Sequence, residues 1–517
     1  MSEPFYITTA ISYPNGRPHI GHAYEAIAAD AIAAFYRLSG RDVRLITGTD
    51  EHGLKMVQTA RDAGVDTIKL ADEMSSYFIE MCNKLNIRHD GFRRTSEAAH
   101  HEASKALWKA MEANGDLYLD RYEGWYSVRD EAFYAEDELE TGEGGAKLSP
   151  QGTPVEWTAE ETWFFKLSKY QDKLLKLYEE HPEFIQPESR RNEVLRFVEG
   201  GLRDLSVSRT SFDWGVPVPG SPGHVMYVWV DALTTYMTGV GYPDTKGMFA
   251  KYWPADLHLI GKDIVRFHAV YWPAFLMSAG LPLPKQVFGH GFLLNRGEKM
   301  SKSVGNVVDP MELAERFGVD QLRYFLLADV VFGKDGTYSA DAIITKTNAD
   351  LANNFGNLAQ RSLSMIAKNC DGKVPAAGEP TDAEVQLLSH LDQCFDDVKS
   401  AMTGGLFKID TALDVIRERL SATNTYFADQ APWALRKTDP ARADTVLYHT
   451  AEAIRRLAIM LRWAIPESCD RMLDLLAQPA DARDFEHLAT AIESGIVLPS
   501  PQGIFPRLEL LTDEVNP

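Results

Sequence analysis

Only four cysteines, Cys82, Cys370, Cys394 and Cys469, occur in 517 residues, and no two have CxxC spacing. That scatter excludes a zinc ribbon and a disulfide framework, so the expectation is four isolated thiols and no structural zinc. Long apolar runs are missing as well: nothing approaches the roughly 18 continuous apolar residues of a membrane span. The start, Ser2-Glu3-Pro4, has no basic region of the kind that opens a secretory leader. A soluble cytoplasmic protein is expected. An excess of positive charge is absent too, since 53 basic against 74 acidic residues leave −21. That balance argues against a chain that grips nucleic acid with its whole surface, although a local basic face suffices to meet phosphates. Arg190, Arg191, Arg196 and Arg203 are such a local group, or else a solvated helix face.

What is present is an ordinary globular composition, 45% hydrophobic and 25% charged, at a length that suits two or three domains. Two runs stand out, His19-Ile20-Gly21-His22 and, 280 positions later, Lys299-Met300-Ser301-Lys302-Ser303. Phe5 to Ile11 reads as a buried strand, and the turn cluster Asn15-Gly16-Arg17-Pro18 stops it. Ala23, Ile27, Ala31, Ala34 and Phe35 then recur at helical spacing, so the two histidines fall at a strand-to-helix junction. Unpaired amides and the positive dipole end favour anions there, and imidazole N–H groups add donors. The lysine run lies between Gly297 and Gly305, on a loop able to close over phosphates from the opposite side. No side chain need act as a nucleophile: a substrate carboxylate can attack an α-phosphate while the protein positions groups and stabilises charge.

Val43 to Thr47 reads as a second buried strand, which would deliver Asp50 to Gly53 beside the histidines. His258-Leu259-Ile260 is a further strand entering Gly261-Lys262-Asp263, and Ile264, His268 and Trp272 then fall at i, i+4 and i+8 on one helix face, as a pocket wall. The glycines of Thr141 to Lys147 follow no strand and have acidic neighbours, which predicts a surface loop. Beyond about 340 long amphipathic helices dominate, predicted over Asn348–Lys368, Glu384–Ala401, Ile409–Ala428 and Val446–Trp463.

The paired motifs resemble those of the class I aminoacyl-tRNA synthetases. The runs Thr9-Ala10-Ile11-Ser12-Tyr13-Pro14-Asn15-Gly16, Thr49-Asp50-Glu51-His52-Gly53, Tyr227-Val228-Trp229-Val230-Asp231-Ala232, Gly261 to His268, and Asp429-Gln430-Ala431-Pro432-Trp433 narrow the likeness to the methionyl-tRNA synthetases. The resemblance implies an α/β fold, with a doubly wound Rossmann-type catalytic domain split by an inserted connective domain and followed by an α-helical bundle that binds the anticodon. It divides the chain into a first catalytic half over 1–114, the insertion over 115–223, a second catalytic half over 224–292, a linker with the lysine loop over 293–345, and the bundle over 346–517. Many relatives carry cysteine pairs in the insertion; this one has none.

The implied activity is formation of methionyl-adenylate and pyrophosphate from L-methionine and ATP with Mg2+, then transfer of methionine to the terminal adenosine of tRNA(Met), the initiator included. Roles carry over by position. Ala10, Ile11, Tyr13, Trp229, Ala232, Leu233, Tyr236, Ile264, His268 and Trp272 would line the methionine pocket, with Asp50 pairing the ammonium. Leu233 stands where the family usually has proline, so the wall is shaped differently there. His19, Gly21, His22, Gly261, Asp263, Lys299, Ser301 and Lys302 would hold ATP, and His19, His22, Lys299 and Lys302 would act on the transferring phosphates. Asn357, Arg361 and Trp433 would read the anticodon. Synthetases for leucine, isoleucine and valine carry a large editing domain, for which 109 inserted residues (115 to 223) leave no room. A synthetase for cysteine would show metal-ligating cysteines at its pocket, and a non-catalytic relative would not need both phosphate motifs. With no oligonucleotide-binding appendage after the bundle, a monomer is expected.

Overall fold

In the computed structural model, residues 3–128, 132–295, 297–300 and 306–509 are described. The chain opens with β1 (Pro4–Thr9), α1 (Ile20–Leu38), β2 (Asp42–Thr49), α2 (Leu54–Ala63), α3 (Thr67–Lys84), β3 (Gly91–Arg94) and α4 (Ala98–Ala113). Next come the antiparallel strands β4 (Leu117–Ser127), β5 (Ala132–Tyr134) and β6 (Glu156–Phe165), then β7 (Ile185–Gln186), α5 (Glu188–Glu199) and α6 (Val228–Thr238). The strands β8 (Leu257–Gly261) and β9 (Val287–His290) flank α7 (Trp272–Ala279).

Six strands form one wholly parallel sheet in the order β3-β2-β1-β8-β9-β7. Buried on both faces, they read as largely apolar runs, Phe5-Tyr6-Ile7 in β1 and, interrupted only by His258, Leu257 to Ile260 in β8. Chain order reverses at β1, which pairs with β2 on one side and β8 on the other. A doubly wound sheet opens its ligand crevice at the carboxyl ends of strands at such a switch point.

Two features differ from the expected division. The stretch 115–223 does not stand wholly apart from the catalytic sheet, because β7 within it pairs with β9 as the edge strand. Two residues are too few to give a strand pattern, so nothing in the local sequence marks this return. The boundary at 345/346 also falls inside one helical run, Ala340–Thr347 continuing through a π-helical stretch, Asn348–Gly356, into α8 (Asn357–Asn369). The glycine segment 141–147 is the tip of a small hairpin in which Glu140–Thr141 pairs with Lys147–Leu148.

The bundle continues with the long helices α9 (Asp382–Met402) and α10 (Ile409–Gln430), the short α11 (Pro432–Thr438) and the long α12 (Pro440–Leu461). The last begins six residues before the expected Val446. Pro440 occupies its first turn, and the Asp439 side chain accepts from Arg442 N at 3.0 Å, so a cap rather than apolar spacing sets the start. The helices share one core with the catalytic sheet: Phe35 of α1 meets Trp463 edge-on at 6.4 Å. Arg323, fully buried, bonds Asp30 of α1 at 2.6 Å, Leu85 O at 3.0 Å and Ala464 O at 2.9 Å. One guanidinium thus joins the catalytic helix to the segment just after α12 of the bundle. Among the described residues no helix is long and apolar enough to cross a membrane.

Candidate active site

At the carboxyl ends of β1, β2 and β8 lies a cavity of about 420 Å³. After β1 the chain crosses the switch point: Ala10 N bonds Leu259 O at 3.1 Å on the β8 side, and Ser12 N bonds Gly48 O at 2.9 Å on the β2 side. Asp50 N returns a bond to Ser12 O at 2.9 Å, so Ala10 to Tyr13 and Asp50 meet at one rim. Ala10, Ile11, Tyr13, His19, Gly21, His22, Asp50, Trp229, Gly261, Asp263 and Ile264 all line this cavity.

The two histidines cap their own helix. Gly21 N donates to His19 Nδ1 and His19 N donates to His22 Nδ1, each at 3.1 Å, and the rings stack at 3.8 Å. Because both Nδ1 atoms accept, each neutral ring carries its proton on Nε2 and keeps that N–H as a donor. A side chain at Gly21 would meet the His19 ring at 2.9 Å, so the glycine is needed for the cap itself. At Gly261 a Cβ would lie 2.9 Å from Asp263 Oδ1. The Tyr13 hydroxyl accepts from Met56 N at 3.0 Å, which anchors it to α2. Of the lysine run, Ser301 and Lys302 lie outside the described residues, and only the backbone of Lys299 is described.

Ala232, Leu233, Tyr236, His268 and Trp272 do not reach the cavity surface; each is at most 3% exposed, packed behind Trp229 and Ile264. The expected single face of Ile264, His268 and Trp272 is broken by a π-helical stretch, Phe267–Tyr271. His268 and Trp272 both turn to Tyr236 and His258 in the layer behind the cavity, and Phe267 takes the cavity position beside Ile264. Phe267 stacks on Trp229 at 3.8 Å, and His268 meets the same indole edge-on at 6.0 Å.

This hidden layer is polar but neutral. His268 donates from Nδ1 to Ile264 O at 2.9 Å and accepts at Nε2 from the Tyr236 hydroxyl at 2.6 Å. Burial pushes His268 down to about 4. His258 accepts at Nε2 from Trp272 Nε1 at 3.3 Å, which leaves its Nδ1–H for Thr8 Oγ1 at 2.7 Å, and burial holds it far below the usual imidazole range. Every polar atom in these bonds is satisfied within the wall, so an uncharged, apolar surface faces the cavity.

Three residues were given no role in the sequence reading. Glu25, one turn after His22 on α1, and His290, at the end of β9, both line the cavity and pair at 2.8 Å. His290 Nδ1 also faces Gly291 O at 2.8 Å, so that nitrogen donates to the carbonyl while Nε2 faces the Glu25 carboxyl. Burial alone would lower His290, but the Glu25 hydrogen bond and charge reverse this and raise it. Periodicity hides Glu25 among the alanines of an apolar helix. The third, Asp231, is fully buried and accepts from His52 Nδ1 and His100 Nε2, each at 2.5 Å. Burial would raise its pKa, yet the two histidines hold it below the usual carboxylate range. The clamp ties the loop after β2, which carries Asp50, to α6, which carries Trp229.

On the helical side Asn357 and Arg361 are exposed one turn apart on α8, and Trp433 of α11 is 44% exposed. The Arg361 guanidinium carbon lies 5.4 Å from the Trp433 ring centre and 5.1 Å from that of Phe427. Among the described residues the only group of three side chains spaced to share a metal ion is Asp484, Glu486 and His487, which includes no cysteine.

The family described as "tRNA synthetases class I (M)" matches residues 5–363, and "Anticodon binding domain of methionyl tRNA ligase" matches residues 374–515. The methionine–tRNA ligase of Brucella suis is 60% identical over 515 residues, 99% of each chain. That of Rhizobium meliloti is 60% identical over 509 residues, 98% of each. A solved Mycobacterium tuberculosis methionyl-tRNA synthetase in complex with methionyl-adenylate is 57% identical, with a TM-score of 0.95 over 98% of this chain and 100% of the other. The apo form of that enzyme gives 0.89 at 54% identity, over 99% of each chain. On the match of both family descriptions in order and on identity over almost the whole length, the chain belongs to the methionyl-tRNA synthetases of class I.

Proposed function

We infer that the protein is a methionine–tRNA ligase, and the observation that carries this is the composition of one cavity. Its floor holds self-capped histidines at a helix start, its rim holds Asp50, and its side wall is the uncharged stack of Trp229 and Phe267. Asp50 pairs with the methionine ammonium. Tyr13, Ala10, Ile11, Trp229 and Ile264 enclose a polarizable thioether, which packs well against aromatic edges. Ala232, Leu233, Tyr236, His268 and Trp272 act from behind, fixing that wall.

In the first step a methionine carboxylate oxygen forms a bond to the α-phosphorus, the bond from that phosphorus to the bridging oxygen breaks, and pyrophosphate leaves with the electron pair. The Nε2–H groups of His19 and His22 donate to the phosphate oxygens as charge builds, Lys299 and Lys302 stabilise the same phosphates, and Ser301 adds to the ATP site. Gly261 and Asp263 hold the ribose. In the second step a hydroxyl of the terminal adenosine attacks the carbonyl carbon and loses its proton to the phosphate, the carbon–oxygen bond to that phosphate breaks with its electron pair, and AMP leaves. Mg2+ accompanies ATP. The ion would neutralise charge on the phosphates, as suits a cation that dehydrates reluctantly and is held largely by substrate oxygens.

Asn357, Arg361 and Trp433 read an unstacked anticodon, the indole by stacking and the amide and guanidinium at base edges. The partner is tRNA(Met), the initiator included, and the enzyme works as a cytoplasmic monomer. Its parts are a catalytic domain over 1–114 and 224–292, an insertion over 115–223, a linker over 293–345 and a bundle over 346–517. The test is amino-acid-dependent exchange of pyrophosphate into ATP, without tRNA, across all twenty amino acids. Methionine alone should support it. Exchange with a different amino acid overturns the specificity, and none at all overturns the catalytic reading.

A further inference from the structure

In the turn Thr49-Asp50-Glu51-His52-Gly53, Asp50 lines the cavity, while Glu51 and His52 are buried away from it. Glu51 accepts from Arg94 Nε at 2.6 Å, from Ser75 at 2.6 Å and from Ser96 at 2.5 Å, and Trp214 Nε1 donates to its carbonyl at 2.6 Å. His52 ties the same turn to a different element, α6, through Asp231. That carboxylate, fully buried, accepts at Oδ2 from His52 Nδ1 and at Oδ1 from His100 Nε2 of α4, each at 2.5 Å. His100 is held in turn, its Nδ1 3.0 Å from the hydroxyl of Thr238 at the end of α6.

Trp229 walls the cavity from the first turn of α6, two residues before Asp231, just as Asp50 lies two residues before His52. The buried carboxylate therefore sets the separation between the group that pairs with the ammonium and the ring that packs on the thioether, from behind the cavity surface. That separation matters because an ion pair with good hydrogen-bond geometry needs its partners at about 2.7–2.9 Å, whereas packing against an apolar wall tolerates small slips. We propose, resting on the function inferred above, that Asp231 is a positioning residue for methionine, its two-histidine clamp holding Asp50 at the ammonium. With the clamp broken, Glu51 still holds the turn, but its His52 side is released from α6. The ammonium pair lengthens, while the thioether wall keeps its own bonds through Tyr236 and His268.

Asp231→Leu fills the space but accepts from neither ring. In pyrophosphate exchange its kcat/KM for methionine should fall about 100-fold, the scale of a misplacement of about 1 Å, with half-saturation by ATP unchanged. The ammonium-free analogue 4-(methylthio)butanoate should inhibit the variant as well as it inhibits the unaltered enzyme, because it makes no pair with Asp50. Asp231→Asn should recover most of the loss: a neutral His52 can present Nδ1 as an acceptor to the amide N–H, and the amide oxygen still accepts from His100. If Asp231→Leu does not fold, His52→Phe cuts the same arm, keeps a ring against His101 and Trp214, and is read by the same comparison of methionine, ATP and analogue. Unchanged methionine kinetics, equal losses for methionine and ATP, an equal weakening of the analogue, or no recovery in Asp231→Asn overturns the positioning role. Absence of methionine-dependent exchange in the unaltered protein is a different result and strikes the functional reading instead.

Discussion

The cleft and the bundle face treat their recognition groups in opposite ways. In and around the cleft the named polar groups are held by the protein itself: His19 and His22 cap one helix, Tyr13 holds Met56, and Asp231 clamps His52 and His100. On the bundle Asn357, Arg361 and Trp433 are exposed, and the guanidinium lies over rings instead of in a carboxylate fork. The difference teaches where each region spends its ordering energy. Chemistry needs donors fixed before charge develops, whereas an RNA loop has to be splayed and met, so exposed surfaces there can order on contact.

The sharpest way to break that comparison is to cut the link between the two regions. Arg323→Ala would leave Asp30 buried without its cation, and removal of one member of a buried pair costs about 3–5 kcal/mol. Denaturant unfolding should show that loss, and a change well under 1 kcal/mol would mean that the guanidinium joins nothing of consequence. Next in size is Lys302→Ala. It should slow adenylate formation about 10²- to 10³-fold, roughly 2.7–4 kcal/mol, with methionine affinity little changed. Equal losses in rate and in methionine binding would remove the lysine from the transition state. Trp433→Ala should act only at the other end, weakening tRNA by the value of one stacked base, about 1–3 kcal/mol, and leaving pyrophosphate exchange intact. A fall in exchange with that variant would erase the contrast between the regions.

The smallest effect is a pH dependence confined to the bundle. Burial would raise Glu384, but bonds from Arg442 at 2.7 Å, from Tyr426 and from Thr381 hold its carboxyl down to about 2. A depressed carboxylate stabilises the fold above its unfolded value, here 4.5, and that contribution is lost as pH falls from 4.5 towards about 2. Glu384→Gln should therefore flatten acid unfolding in that window. An unaltered acid profile would sink the assignment.

Much of the fold could be read along the chain. Phe5-Tyr6-Ile7 and Val43 to Thr47 are strands because both faces of a parallel sheet are buried, and Ala23 to Phe35 announces α1 by its spacing. His19, Asp50 and Gly261 could be read as well, since each follows a strand at the switch point of the sheet. Glu25 and Asp231 could not, because an acidic residue inside an apolar helix looks like any other until its partners, 265 and 179 residues away, are brought to it. His268 shows the reverse failure. Spacing four residues apart groups His268 with Trp272, but that face meets Tyr236 and His258 inside the wall, and Phe267 lines the cavity in its place.

By itself, then, the sequence determined the strand-to-helix junctions, the family motifs and the amphipathic helices, because those depend on neighbours within a turn or a strand. Tertiary structure alone decided that β7 closes the sheet from within the presumed insertion, that Arg323 joins the two regions, and that five pocket residues stand one layer back. Each of these rests on contacts between segments tens to hundreds of residues apart, and periodicity carries no information about which distant face a side chain will meet.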